Sequence, residues 1–503
     1  MPENVTALLD AFSTAPPERL DAQFLKLAGA LADKGAANVA AALLGRLDGL
    51  GEESQGYAVL LLGLLAGSGD DTARETARRG LDRYLGLLGR TGIGEPLRLA
   101  LLYLAGQFEA DRERVLTVAA RLDLGVDDLS RLERNLQRFD PDDVVLGRVW
   151  PSPAAWALTE AEREFDQRWI RALTHEQAVT AWRSDTQMTR GYSGAKALWA
   201  LRNGAPVDGP DPAGSEAALI ASAAADDSGG PGLFARHAAA FRCPACGDRL
   251  SFEDGQARCV SCASAYSTAD GILNLTAALD PERPRDPKDV LQNAAVLENI
   301  GHYYETVLRP AFLRLMGSNW GAAVSPADED AYLARNTRPV GDGPVLDLAA
   351  GAGRWTSVLA QTLGASRVIA LDLNRFMLTW LRGRLPDVPA VQASALTLPF
   401  EDGTLSAVNC WNALQTLPDP AAVIAEVGRC LRPGGSFTLM TFRWADDPVY
   451  RSFQASFRGP GFPDGMPLFE VEQLRSWLEK AGLTVREETT PGTFVLFACE
   501  RAR

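Results

Sequence analysis

Seven cysteines occur in the chain, and four of them are paired at close spacing within Phe241 to Leu275, FRCPACGDRLSFEDGQARCVSCASAYSTADGILNL. Cys243 and Cys246 make one Cys-x-x-Cys turn, Cys259 and Cys262 a second, with twelve residues between the two. Four thiolates presented by two such turns suit tetrahedral zinc, whose binding supplies folding energy that so small a module cannot draw from its own core. All four sulfurs are then committed and no coordination position is left open, so the expected ion is structural. No strand-helix context surrounds either pair, which argues against a thioredoxin-like redox role. Cys410, Cys430 and Cys499 stand apart and read as small core residues.

A second constellation lies at Gly343 to Thr356, GPVLDLAAGAGRWT. Val345 to Leu348 reads as a short buried strand, Gly351 to Gly353 as a glycine turn, and Arg354 to Leu363 as a helix. Such a turn brings a ligand close to backbone amides, and the helix N-terminus beyond it favours negative charge. Dinucleotide binders share this pattern, so it does not by itself choose a ligand. Arg367 to Leu371 reads as a following strand with Asp372 at its carboxyl end, nineteen residues after Gly353. A carboxylate there can accept both ribose hydroxyls of a nucleoside lying in the crevice beyond the strand ends.

The elements that must position these groups fall into distinct stretches of the 503 residues, a length that implies more than one hydrophobic core. Residues 1–202 are rich in Ala, Leu, Arg and Glu with apolar residues three and four apart, as in Leu81, Tyr84, Leu85 and Leu88, and predict an all-helical domain. Residues 203–237 begin with a Gly, Pro, Ala, Asp and Ser-rich stretch that reads as a linker. The cysteine module spans 238–276, and a polar break follows at 279–289. From 290 a helical lead-in, Val290 to Met316, gives way to strands alternating with helices, the mark of a doubly wound parallel sheet running to residue 503.

With these motifs in place, the continuation AVQASALTLPFEDGTLSAVNCWNALQTLPDPAAVIAEVGRCLRPGGSFTLMTF is decisive. Strand-Asp-x-x-x-Gly-x-Gly, the acid after the second strand, Leu-Pro-Phe before the fourth and Leu-Arg-Pro-Gly-Gly before the fifth resemble the class I S-adenosylmethionine (SAM)-dependent methyltransferases. The resemblance covers 290–503 and is to the group that contains many small-molecule methyltransferases. It implies an α/β Rossmann-like domain in which Asp347 orders the glycine turn, Gly351 and Gly353 pass the methionine part of SAM, and Asp372 grips the ribose. It further places Leu373 against adenine, Ser394 and Ala395 at the adenine edge, and Trp411, Asn412 and Gln415 facing the methyl group and acceptor. The chain departs from the family at Ala349, where Gly is usual, and at Ser394, where Asp is usual. The cysteine module, with its ending Ala265 to Ile272, resembles the zinc-ribbon activator of translation-factor and tRNA methyltransferases and the ribbon fused to some rRNA guanine methyltransferases.

The expected activity is therefore methyl transfer to a small-molecule acceptor, in specialised metabolism, with SAM as cofactor and a structural zinc. RNA or protein methylation, and a non-catalytic scaffold, are the competing readings. His302, one of three histidines, is the candidate base, with Tyr303 and Tyr304 beside it in the lead-in; a packed or surface histidine is the alternative. A net charge of -14 disfavours nucleic acid as a partner. No segment looks able to span a membrane, since apolar runs such as Tyr57 to Ala66 fall short of the ~20 residues required. The N-terminus lacks the basic and apolar regions of a secretory signal, so a cytoplasmic location is expected. The helical domain, larger than methyl transfer needs, is expected to recognise the acceptor, a peptide or another protein.

Overall fold

The computed structural model describes residues 3–30, 36–144, 160–204, 232–253, 256–276, 309, 313, 324–456 and 467–503. The chain divides into two compact units, one formed by Met1–Asp211 with Ala445–Met466, the other by Pro212–Trp444 with Pro467–Arg503.

The first unit is helical throughout its described residues. The Glu52–Gly67 helix buries nearly every residue from Gln55 to Ala66, which explains why its sequence shows no polar face. It packs between Glu95–Ala105 and the long His175–Asn203 helix, which opens on a Thr174–Gln177 capping box. Polar groups are also interred here: Arg134 pairs with Asp185 at 2.7 Å and stacks on Trp182, and Lys196 holds Asp128 at 2.6 Å. The short helix Pro448–Gln454 belongs to this unit although its sequence lies between strands of the other. It enters at Gly194, where a Cβ would overlap the Phe453 ring, and Phe453 meets Tyr103 edge-on at 5.7 Å.

Among its described residues the second unit is built on one eleven-stranded sheet, in the order β1-β2-β3-β4-β7-β6-β5-β8-β9-β11-β10. These strands are β1 (Leu250–Glu253), β2 (Gln256–Cys259), β3 (Ala265–Ala269), β4 (Ile272–Asn274), β5 (Val345–Leu348), β6 (Val368–Asp372), β7 (Ala390–Gln392), β8 (Leu405–Trp411), β9 (Leu431–Phe442), β10 (Leu483–Thr489) and β11 (Phe494–Arg501). From β4 to β9 all neighbours in the sheet run parallel. β5 and β8 are buried along their whole length, as expected of central parallel strands covered on both faces. The strand order reverses at β5, the place where open α/β sheets bind ligands beyond their carboxyl ends.

Two features differ from the sequence expectation. Leu431 to Gly435, expected to precede the fifth strand, is carried within β9 as a bulge: Leu405 pairs with Leu431 and Ala407 with Ser436, so the extra residues loop out of the ladder. The cysteine module is not a separate bead. Its β4 pairs in parallel with β7, Leu275 N–H donates to the Gln392 carbonyl at 2.9 Å, and the Phe241 ring meets Phe400 at a tilt with centroids 5.1 Å apart. Phe241, Cys243, Tyr266 and Leu273 share one hydrophobic core with Leu346, Leu371 and Phe437. Of the lead-in, Arg309 and Leu313 are described, both helical and both buried.

Candidate cofactor site and cysteine cluster

β5 delivers Asp347, buried to 2% exposure, into the centre of the sheet. Thr356, in the first turn of the following Arg354–Leu363 helix, donates its hydroxyl to Asp347 Oδ2 at 2.5 Å, and Asn409 of β8 donates its amide to Oδ1 at 2.6 Å. Thr438 of β9 in turn donates to Asn409 Oδ1 at 3.2 Å. Asp347 thus ties its strand to the glycine-turn helix and to β8. Burial pushes its carboxyl up to about 6, against the lowering effect of the Thr356 and Asn409 hydrogen bonds.

The turn itself runs through left-handed backbone at Ala349 (φ 56°), Gly351 (φ 54°) and Gly353 (φ 88°). Glycine is needed at 353 twice over, since a Cβ there would also sit 2.8 Å from Leu381 Cγ. Ala349 takes the same backbone region with a side chain, a strained conformation for an L-residue.

Asp372 closes the site from the end of β6. Its Oδ2 accepts the Gly351 N–H at 2.8 Å and its Oδ1 the Asn374 N–H at 2.8 Å. Burial raises its pKa, and the backbone N–H groups of Asn374 and Gly351 oppose that. A carboxylate has about four acceptor sites, so two remain for a pair of ribose hydroxyls. Leu373, next along, is 52% exposed and presents an apolar face beside them. Ala393 N–H donates to the Asp372 carbonyl at 3.2 Å, which brings the following Ser394 and Ala395 to the same rim; the Ser394 hydroxyl accepts the Leu396 N–H at 3.2 Å. The residues present therefore fit a nucleoside-bearing cofactor such as SAM.

Trp411, at the carboxyl end of β8, is 2% exposed and is held from the side by Glu329, whose Oε1 accepts the indole N–H at 2.8 Å. Asn412 adopts φ 54°, and Gln415 brackets it: Gln415 Nε2 donates to the Asn412 carbonyl at 2.9 Å, while Thr441 donates to Gln415 Oε1 at 3.0 Å. Both polar ends of Gln415 are thereby engaged in shaping the loop. His302, Tyr303 and Tyr304 lie outside the described residues.

Sequence reasoning did not single out Thr356, Asn409, Arg309 or Glu329. A capping box at Ser325–Asp328 marks the start of the helix that carries Glu329, but nothing in its run of acids says which one is buried.

The four cysteines of the module converge, with all their sulfurs within 4.8 Å of one another. Cys243 and Cys262 Sγ lie 3.7 Å apart and Cys246 and Cys259 Sγ 3.4 Å. Tetrahedral zinc with bonds near 2.3 Å sets sulfurs about 3.8 Å apart, so the cluster fits one such ion with little movement. The Tyr266 hydroxyl sits 3.1 Å from Cys243 Sγ, an outer contact of the kind that orients a ligand.

Residues 345–435 match the family described as a methyltransferase domain. Demethylmenaquinone methyltransferase of Lactococcus lactis subsp. lactis (strain IL1403) is 31% identical over 170 residues, 32% of this chain and 68% of that one. The enzyme of the same name from Mycobacterium sp. (strain KMS) is 32% identical over 177 residues, 32% of this chain and 74% of that one. An uncharacterized chloroplastic methyltransferase of Arabidopsis thaliana, At1g78140, is 29% identical over 37% of this chain, which spans only 54% of that relative's length. Among solved structures, a geranyl diphosphate methyltransferase in complex with GPP and sinefungin overlaps 35% of this chain and 77% of its own, with 19% identity and a TM-score of 0.30. With two relatives above 30% identity matched over at least two thirds of their length, the chain belongs to the class I SAM-dependent methyltransferases.

Proposed function

We propose that the protein moves a methyl group from SAM to a small-molecule acceptor, in specialised metabolism. The observation that carries the reading is its similarity to two enzymes named for methylating demethylmenaquinone, itself a small molecule. The net charge of -14 supports it, because clustered Lys and Arg are what capture a phosphate backbone.

SAM, when bound, supplies the methyl on a sulfonium for in-line displacement. The remaining task of the chain is to orient the cofactor and acceptor. Asp372 would take the ribose hydroxyls, Leu373, Ser394 and Ala395 would border adenine, and the turn through Ala349, Gly351 and Gly353 would pass the methionine part. Asp347 holds that turn's helix against β8 through Thr356 and Asn409. His302, with Tyr303 and Tyr304, is proposed to take the proton from an acceptor that must lose one. Asn412 and Gln415 would shape the acceptor side, and the helical unit would recognise the acceptor or a carrier of it. One zinc ion on Cys243, Cys246, Cys259 and Cys262 is proposed as a structural metal of a zinc ribbon. A cytoplasmic location completes the reading; among the described residues no helix is long and apolar enough to cross a membrane.

The test is to incubate the protein and methyl-tritiated SAM with extract of the source organism and count label in small-molecule, protein and RNA fractions. Label in the small-molecule pool is expected; label in RNA or protein overturns the acceptor class. Calorimetric titration with SAM, lost in Asp372→Ala, separates a working cofactor site from a scaffold.

A further inference from the structure

Three buried residues far apart in sequence converge at the carboxyl end of β8. Glu329 is 1% exposed, Arg309 is fully buried, and Trp411 is 2% exposed. Arg309 meets Glu329 through both carboxylate oxygens, with Nε 3.0 Å from Oε2, while Glu329 Oε1 also accepts the Trp411 indole N–H. The Trp411 ring is packed between Tyr332, at 5.7 Å, and Trp355, at 6.4 Å. Trp355 stands two residues after Gly353 in the helix that opens from the glycine turn.

The next residue of the same helical turn repeats the pattern. Asp330 takes the Arg354 guanidinium at 2.8 and 3.0 Å, and Arg354 directly follows Gly353. Adjacent acids on the Pro326–Asn336 helix therefore hold the two sides of the cofactor cradle, the strand end at Trp411 and the helix start at Arg354. A buried ion pair is weak evidence for stability, since apolar residues of equal volume often serve the fold as well or better. Its place against Trp411 and the helix that opens from the glycine turn points to another role.

We infer that Glu329 is a positioning residue for methyl transfer: through the Trp411 indole it fixes one wall of the cofactor cradle, while Asp330 fixes the other through Arg354. The inference rests on the SAM-dependent reading and adds to it two buried residues, Glu329 and Arg309. Arg309 holds the Glu329 carboxylate in place, and the indole N–H converts that placement into a set orientation of the ring.

The experiment is calorimetric SAM titration of the full chain, with thermal melting of each variant as a folding control. Glu329→Leu combined with Arg309→Met removes the pair without stranding a charge. It is expected to melt close to the wild type and to raise the SAM Kd about tenfold, a ratio equal to about 1.4 kcal/mol. Trp411→Phe keeps an aromatic ring and loses the tethered N–H, and is expected to do the same. The three substitutions together are expected to weaken SAM no further, because they act through one indole. Glu329→Gln still offers an oxygen to the indole but leaves Arg309 without its counter-charge. It should melt earlier while binding SAM within about threefold of the wild type, the opposite of what a purely structural role gives. The inference is overturned if the apolar pair binds SAM as the wild type does, if the effects multiply, or if Glu329→Gln loses as much affinity as Trp411→Phe. A wild-type protein that takes up no SAM overturns the methyltransferase reading and this one together, whereas normal wild-type binding with unaltered variants overturns this one alone.

Discussion

Leu273→Ala tests whether the cysteine module is part of the catalytic sheet or an appendage to it. Leu273 is the middle residue of β4, fully buried, and its neighbours across the ladder are Thr268 of β3 and Val391 of β7. Its side chain joins a core that runs on through Leu346, Leu371 and Phe437. Truncating a buried leucine removes its transfer free energy and leaves a cavity, about 2–5 kcal/mol in all. The lower half of that range applies if the thin edge of the sheet can collapse onto the gap. At 2–4 °C per kcal/mol for a unit of this size, a loss of about 3 kcal/mol lowers Tm by roughly 6–12 °C.

The assay is differential scanning calorimetry with and without saturating SAM. A shared core requires that the transition SAM stabilises be the one that moves, because a ligand raises only the unit that binds it. The proposed zinc extends the test: its removal by chelation should take folding energy from β1 to β3 and leave β4 less firmly held against β7. An early, separate transition in Leu273→Ala, with the SAM-stabilised transition unmoved, refutes the reasoning. So does a chelated protein whose SAM-stabilised transition is unchanged.

Ala349→Gly should relieve left-handed strain of about 1–2 kcal/mol at a cost in chain entropy of about 0.5–1, for a net gain near 0.5 kcal/mol and equal or tighter SAM binding; urea unfolding and SAM titration check both. Asp347 has a folded pKa of about 6 against 3.8 unfolded, so the folded chain binds the proton more readily and stability falls as pH rises through that window. Relative to Asp347→Asn, the wild type should lose up to about 3 kcal/mol between pH 3.5 and 7, seen as a converging or crossing pair of urea midpoints; parallel curves would contradict this. Gly194→Ala drives a methyl into the Phe453 ring and should cost the helical unit about 1–3 kcal/mol by urea denaturation, whereas the exposed Gly86, with open space at its Cβ, should accept alanine without loss.

How far the sequence reached depends on how local each signal is. The glycine turn, β5 and the helix after it were legible because period, glycine placement and strand length all speak within fifteen residues, and Val345–Leu348 and Arg354–Leu363 have the bounds expected of them. The acid at the end of β6 was legible for the same reason, since its distance from the turn is fixed by one intervening helix. The partners of Asp347 were not, because Thr356 and Asn409 meet it only after β5 and β8 are laid side by side, and neither residue type is unusual in a helix or strand. Glu329 hid in a helix whose acids look like an ordinary solvated face, and only the positions of Arg309 and Trp411 distinguish it from Asp328, which is spent on the Ser325 cap. The cysteine module shows the limit most clearly. Its spacing predicts that the four cysteines come together, as they do, but β4 is three residues long and its pairing with β7 joins positions more than a hundred residues apart. Which strand is paired across such a gap depends on which edge of the parallel sheet stands open, a property of the assembled strands that no segment of the sequence carries alone. That is why a module whose own sequence shows only its cysteine turns stands at the edge of the sheet that holds Asp372.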